Sequence, residues 1–231
     1  MTPPPACPRS ESPTLGVLML DTRFPRPVGD IGHPGSHAYP VRYRTVRGAE
    51  PAAIVRGHDS RLLAPFVEVG LALVQEGVAA LATSCGFLAR WQRELQAALP
   101  VPMWSSALLA LPALARPGVI TIEAASLTAA HFEAVGADPA TPVEGITPGS
   151  PLHRTLLEDR SELDADDAQR QVLAAGERLL ARHPGVQTLV LECTNLPPYA
   201  AALQAATGRR VHHIVSLLHE RMAALGAGAA R

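Results

Sequence analysis

Leu189-Val190-Leu191-Glu192-Cys193-Thr194-Asn195-Leu196-Pro197-Pro198-Tyr199 is the stretch on which the fold turns. A short apolar run breaks at a cysteine and continues into an alanine-rich helical pattern from Tyr199 to Ala206. A continuous apolar run of this length suits a strand buried on both faces of a parallel sheet, with a helix to follow. The pattern has an echo upstream: Ala79-Ala80-Leu81-Ala82-Thr83-Ser84-Cys85-Gly86-Phe87-Leu88. A Gly-Val pair, opened by Gly77 or Gly185, begins eight residues before each cysteine. The two stretches read as equivalent halves of one site.

Working outward, Pro117-Gly118-Val119-Ile120-Thr121-Ile122 mirrors Leu15-Gly16-Val17-Leu18-Met19-Leu20, and an acid stands five residues after each glycine, Asp21 and Glu123. Strands are expected at 15–20, 41–46, 78–82, 101–104, 117–122, 142–146, 186–191 and 211–215. Helices are expected at 60–76, about 87–99, 126–135, 164–183, from 199, and 216–227. Ser60 is the expected N-cap and Gly77 the C-cap of the first helix. Alternating strands and helices argue an α/β fold. The repeat argues two pseudo-symmetric domains, each a short parallel sheet flanked by helices, with the active site in the cleft between them. Residues 14–113 plus 212–231 form the first domain, to which the C-terminal segment returns. Residues 114–211 form the second, and 1–13 read as a disordered tail carrying Cys7. The Gly- and Pro-rich segment 22–40 is too long for a simple connection. It reads as a lid over the cleft or, on even terms, as a disordered insertion.

Composition removes several classes of function. The 231 residues carry a net charge of −1, 47% hydrophobic and 4% aromatic residues, which offers no footprint for nucleic acid or an anionic membrane. Three cysteines with no CxxC pair suggest neither a disulfide framework nor a zinc site, so no metal is expected, and the setting is read as cytoplasmic. The sequence contains no lysine, which removes pyridoxal-phosphate chemistry, since that cofactor is held as a lysine Schiff base. No cofactor is expected.

A thiolate is the reactive form of cysteine, and a helix N-terminus lowers its pKa. Cys85 and Cys193 both stand before an expected helix. The N–H groups of Gly86, Phe87, Thr194 and Asn195 would then form a pocket for a carboxylate. Two such cysteines on opposing walls could take a proton from one face of a carbon acid and return one to the other, with the carbanion stabilised by fixed donors.

Thr83-Ser84-Cys85-Gly86 paired with Glu192-Cys193-Thr194-Asn195 on a duplicated α/β chain resembles the aspartate/glutamate/hydantoin racemase superfamily. Leu18-Met19-Leu20-Asp21-Thr22-Arg23-Phe24-Pro25 resembles a bacterial branch known simply as the aspartate/glutamate racemase family. The resemblance spans about 15–218. It implies cofactor-independent proton transfer next to a carboxylate, with Cys85 and Cys193 as the catalytic pair. It also implies a polar substrate-side residue at Asp21 and an anion-binding turn at Thr194 and Asn195. Gly86 and Phe87 stand where amino-acid racemases of the group often carry Asn and Thr, which makes that wall more apolar.

The expected substrate-binding set is Asp21, Thr22, Ser84, Gly86, Phe87, Ser105, Ser106, Thr121, Thr194 and Asn195. The reading that follows is an isomerase: a racemase or epimerase of a small carboxylic acid, an amino acid or derivative. The alternatives are a hydantoin racemase, an arylmalonate-type decarboxylase or a maleate-type isomerase of the same superfamily. A non-catalytic small-acid binder or thiol redox protein is the alternative of another class. The partner is the small carboxylate alone, with room left for a homo-oligomer.

Overall fold

The computed structural model describes residues 12–57 and 60–229; the expected N-terminal tail and Cys7 lie almost wholly outside them. Two four-stranded, all-parallel sheets have the same order. The first is β2 (Val41–Val46), β1 (Leu15–Leu20), β3 (Ala80–Thr83) and β4 (Met103–Trp104). The second is β6 (Val143–Gly145), β5 (Pro117–Thr121), β7 (Thr188–Leu191) and β8 (Arg210–His213). Every residue of β1, β3 and β7 is buried, which is why these strands are continuous apolar runs rather than alternating ones.

The duplication extends to single contacts. Gly16 in β1 lies under α2 (Leu63–Gln75); a Cβ there would sit 2.7 Å from Leu81 and 3.2 Å from Leu73. Its counterpart Gly118 in β5 lies under α6 (Ala165–Arg182), 3.0 Å from Leu179 and from Val186 by the same construction. The missing side chain lets each long helix settle onto its sheet. Asp164 caps α6, its carboxylate accepting from the Asp167 N–H.

The chain departs from the sequence expectation at the short elements. The Ser60 stretch begins as a 3-10 turn, and α2 starts at Leu63. The segment after Cys85 is 3-10 from Gly86 to Trp91 before it becomes α3 (Gln92–Ala98). Two short helices were not anticipated: α1 (Pro51–Arg56) and α5 (Pro151–Leu157), each opened by a proline at its first turn. They hold equivalent places, after β2 and after β6. Between β5 and β6 is α4 (Ala129–Ala134). Beyond β7 come α7 (Ala200–Thr207) and α8 (Ile214–Ala229). Strand β8 completes the second sheet, whereas α8 turns back to the first half: His219 packs edge-on against Tyr39, and Arg221 lies over Trp104. Among the described residues no helix is long and apolar enough to cross a membrane.

Candidate active site

Both cysteines leave their sheets at the same place. The Ser84 N–H donates to the Leu18 carbonyl at 3.0 Å, and the Glu192 N–H donates to the Ile120 carbonyl at 2.9 Å. Each bond extends a central strand by one residue, and each cysteine is the next residue along. The Thr194 hydroxyl donates to the Ser84 carbonyl at 2.6 Å, tying one turn to the other across the halves.

Cys85 and Cys193 line one cavity, with Ser84, Gly86, Phe87, Thr194 and Asn195. Its apolar walls come from Leu20, Phe24 and Ile122, from Val55 of α1, and from Leu156 and Leu157 of α5. The two unanticipated helices are therefore its roof. The cavity is small, about 30 Å³. No residue in this lining carries a charge.

The segment 22–40 is a packed wall of the site. Ile31 is fully buried, Asp30 is 1% exposed, and the Ile31 N–H reaches the Thr194 carbonyl. Asp30 accepts from Arg26 (2.9 Å), the Gly32 N–H (2.7 Å) and the Asn195 side-chain amide (2.6 Å). Because Asn195 gives its amide to Asp30, its Oδ1 faces the Cys193 thiol, which donates to it at 3.6 Å. Arg26 also donates to Thr22 and stacks over Phe24, 4.6 Å from the ring centre. A chain of contacts thus runs from Phe24 through Arg26, Asp30 and Asn195 to the Cys193 sulfur.

The thiol electrostatics differ from the sequence expectation. Burial pushes Cys85 up to about 12, with the Glu192 carboxylate adding to the rise; the Phe87 and Leu88 N–H groups and Arg26 pull the other way. Burial raises Cys193 as well, helped by Glu192, Cys85 and Asp30, against one N–H from Asn195. Desolvation outweighs the helix-end donors because the turn after Cys85 is 3-10 and the sulfurs are almost sealed from water. Of the N–H groups expected to hold a substrate anion, those of Phe87 and Asn195 are turned instead onto the sulfurs.

Several expected substrate-binding residues lie elsewhere. Asp21 is exposed and accepts from the Gly48 N–H, capping the turn after β2. Thr22 faces Arg26. Ser105 donates to Gln92, and Ser106 accepts from the Leu108 N–H. Thr121 donates to Glu192 at 2.6 Å beneath the cavity floor. Hydroxyls at strand ends have backbone and neighbouring partners as near as any ligand, and here those partners win. Ser84 does line the cavity, but its hydroxyl accepts from the Leu20 N–H. Sequence reasoning missed Asp30 and Glu192. Glu192 stood inside the quoted motif, an acid between a buried strand and a cysteine.

At the rim, Asp159 accepts from the Arg23 and Phe24 N–H groups and from the Arg23 guanidinium. Glu123 accepts from Arg56 of α1 and pairs with His153 of α5.

No family profile matches the sequence. Arylmalonate decarboxylase, in its unliganded structure, superposes with a TM-score of 0.60 at 15% identity, over 94% of this chain and 93% of the other. The aspartate racemase of Picrophilus torridus gives 0.56 at 12% identity, over 93% and 94%. The glutamate racemase of Thermus thermophilus, in complex with beta-chloro-D-alanine, gives 0.53 at 21%, over 94% and 82%. The chain thus shares its fold with arylmalonate decarboxylase and with these two racemases. In sequence, the chain is 27% identical to dimethylsulfoniopropionate lyase 3 of Emiliania huxleyi over 94% of its length. It is 26% identical to a dimethylsulfoniopropionate lyase of Durusdinium sp. clade D over 92%. The chain spans 61% of the length of the first of these relatives and 75% of the second.

Proposed function

We propose that the chain is a cofactor-independent lyase that removes the proton next to a small carboxylate and expels a neutral sulfide from the neighbouring carbon. The substrate class is a β-sulfonio carboxylate such as dimethylsulfoniopropionate. The observation that carries this reading is the pairing of two buried cysteines with an apolar, uncharged wall. Free aspartate or glutamate would bring an ammonium and a second carboxylate into walls with no charged group to receive them. A sulfonium is a weakly hydrated cation, suited to a pocket faced by Phe24 and Phe87.

The cation also supplies what the empty site lacks. A thiol pushed up to about 12 is almost wholly protonated at neutral pH. A positive charge about 4 Å from the sulfur contributes about 4 kcal/mol at an effective dielectric constant of about 20. That multiplies the thiolate fraction by about a thousand. The substrate itself makes its base.

Cys85, as thiolate, takes the α-proton. The C–H electron pair becomes the new C=C bond, the C–S bond breaks, and its pair leaves on sulfur as dimethyl sulfide. Acrylate remains, and the proton on Cys85 passes to solvent. Cys193, whose single S–H rests on Asn195 Oδ1, turns that proton to the charge that develops on the substrate. Racemisation is the second reading, favoured by the retention of both cysteines in one cavity: Cys193 would then return a proton to the same carbon.

Headspace dimethyl sulfide and acrylate, measured after mixing the chain with dimethylsulfoniopropionate, test the lyase. Solvent-deuterium incorporation and loss of optical activity, measured on candidate amino acids, test the racemase. Sulfide release that depends on Cys85 supports the first reading; amino-acid racemisation without sulfide release overturns it.

A further inference from the structure

Glu192 is fully buried directly beside Cys193, yet no step above uses it. One carboxyl oxygen accepts from Thr121 at 2.6 Å; the other has no hydrogen-bond partner. That unpartnered Oε1 occupies the space a side chain at position 86 would need: a Cβ on Gly86 would lie 2.3 Å from it and 2.3 Å from the Glu192 carbonyl oxygen. The acid thus reaches from the second half into a void made by the glycine that follows Cys85. No cation neutralises it there; the ionisable groups that feel its charge are Cys85 and Cys193, with Arg26 and Asp30 acting on those sulfurs from beyond.

We propose that Glu192 is a positioning acid that fixes the charge of the cysteine pair, neutral when a thiolate is present and suppressing the thiolate when it ionises itself. A carboxyl with one hydrogen bond and no cation, taken out of water, favours its neutral form. Burial accordingly lifts Glu192 to about 7, against the Thr121 hydrogen bond. Three buried acids then share room for one negative charge. When the proton of Glu192 leaves for solvent, its carboxylate repels charge on both sulfurs, and the thiol keeps its proton. The glycine after Cys85 follows from the same arrangement, because any side chain there would displace the acid.

The test needs no substrate, so its failure is separable from failure of the lyase reading. Thiolate ultraviolet absorbance is followed against pH in a Cys7→Ser background, with and without Glu192→Gln. The amide keeps the shape and the Thr121 contact but cannot ionise. The two titrations are expected to agree below about pH 6 and to diverge above neutrality. At about pH 9 the Gln protein should hold at least about tenfold more thiolate. Superimposable curves would overturn the proposal, as would a uniform offset at every pH, which is what a merely structural role would give. If Glu192→Gln does not fold, infrared spectra of the unsubstituted protein, with glutamate carboxyls isotopically labelled, decide the matter. One protonated glutamate carboxyl that disappears as pH passes neutrality is expected; its absence refutes the assignment.

Discussion

Replacing Asp30 with Asn should cost the fold several kcal/mol and disable the site at once. Asp30 is 1% exposed, and the Arg26 side chain it pairs with is 12% exposed. Removing one partner of a buried pair leaves the other charge uncompensated, at about 3–5 kcal/mol. Here Arg26 keeps contacts with Thr22 and the Phe24 ring, so the lower end, about 3 kcal/mol, is the working figure. For a domain of this size that corresponds to a fall in melting temperature of about 6–12 °C. The second consequence is geometric. Asn195 donates its amide to Asp30 and so presents Oδ1 to the Cys193 thiol. With an amide at position 30 the Asn195 side chain can turn over, setting an N–H against the thiol. Calorimetry and denaturant titration measure the first effect. On the proposed lyase reading, turnover of dimethylsulfoniopropionate, corrected for folded fraction, measures the second and should fall about tenfold or more. Asp30→Asn with stability within about 1 kcal/mol of the parent and full turnover would show that the Arg26–Asp30–Asn195 chain does not hold the site.

Gly86→Ala should be destabilised by about 1–3 kcal/mol, because its Cβ would fall 2.3 Å from both the Oε1 and the backbone carbonyl oxygen of Glu192; pairing it with Glu192→Ala should recover only the part due to the carboxyl, since the carbonyl contact remains, as a double-mutant cycle would read. Cys85→Ser should lower lyase turnover by about a hundredfold or more, and Cys193→Ser by clearly less; equal losses would favour racemisation chemistry. Stability should also depend on the charge of Glu192. Its folded-state value, about 7, lies above the ordinary 4.5, so the group favours the fold below about pH 4.5, and this contribution is lost as pH rises to about 7. The loss is on the order of 3 kcal/mol. Glu192→Gln should therefore gain stability over the parent at neutral pH and lose that advantage at about pH 4, as denaturant midpoints at the two pH values would report.

The central strands were legible because their signal is local. Each is an apolar run bounded by a glycine and a polar break, and the duplication doubled the evidence. The cysteine positions followed from the same pattern. Helices α1 and α5 were not legible: at six and seven residues they are too short for a period to emerge, and their opening prolines read as loop punctuation. Yet they form the roof over the sulfurs. Asp30 was hidden for another reason. It lies 165 positions from its partner Asn195, inside a segment whose glycines and prolines suggested a lid or an insertion. The strand-end hydroxyls are a different case. Ser105, Ser106 and Thr121 are where ligands bind in open sheets, but each is consumed by a protein partner. Sequence position predicts where a side chain starts, not which acceptor reaches it first.

The bond from the Thr194 hydroxyl to the Ser84 carbonyl bears on how anything gets in. It joins the two halves beside the cysteines, so swinging the halves apart would first break the contact between the two cysteine turns. The clasps that can let go without disturbing the thiols are those above: Arg23 with Asp159, and Glu123 with Arg56 and His153. Parting α1 from α5 would break those ion pairs and leave the contact between the two cysteine turns intact.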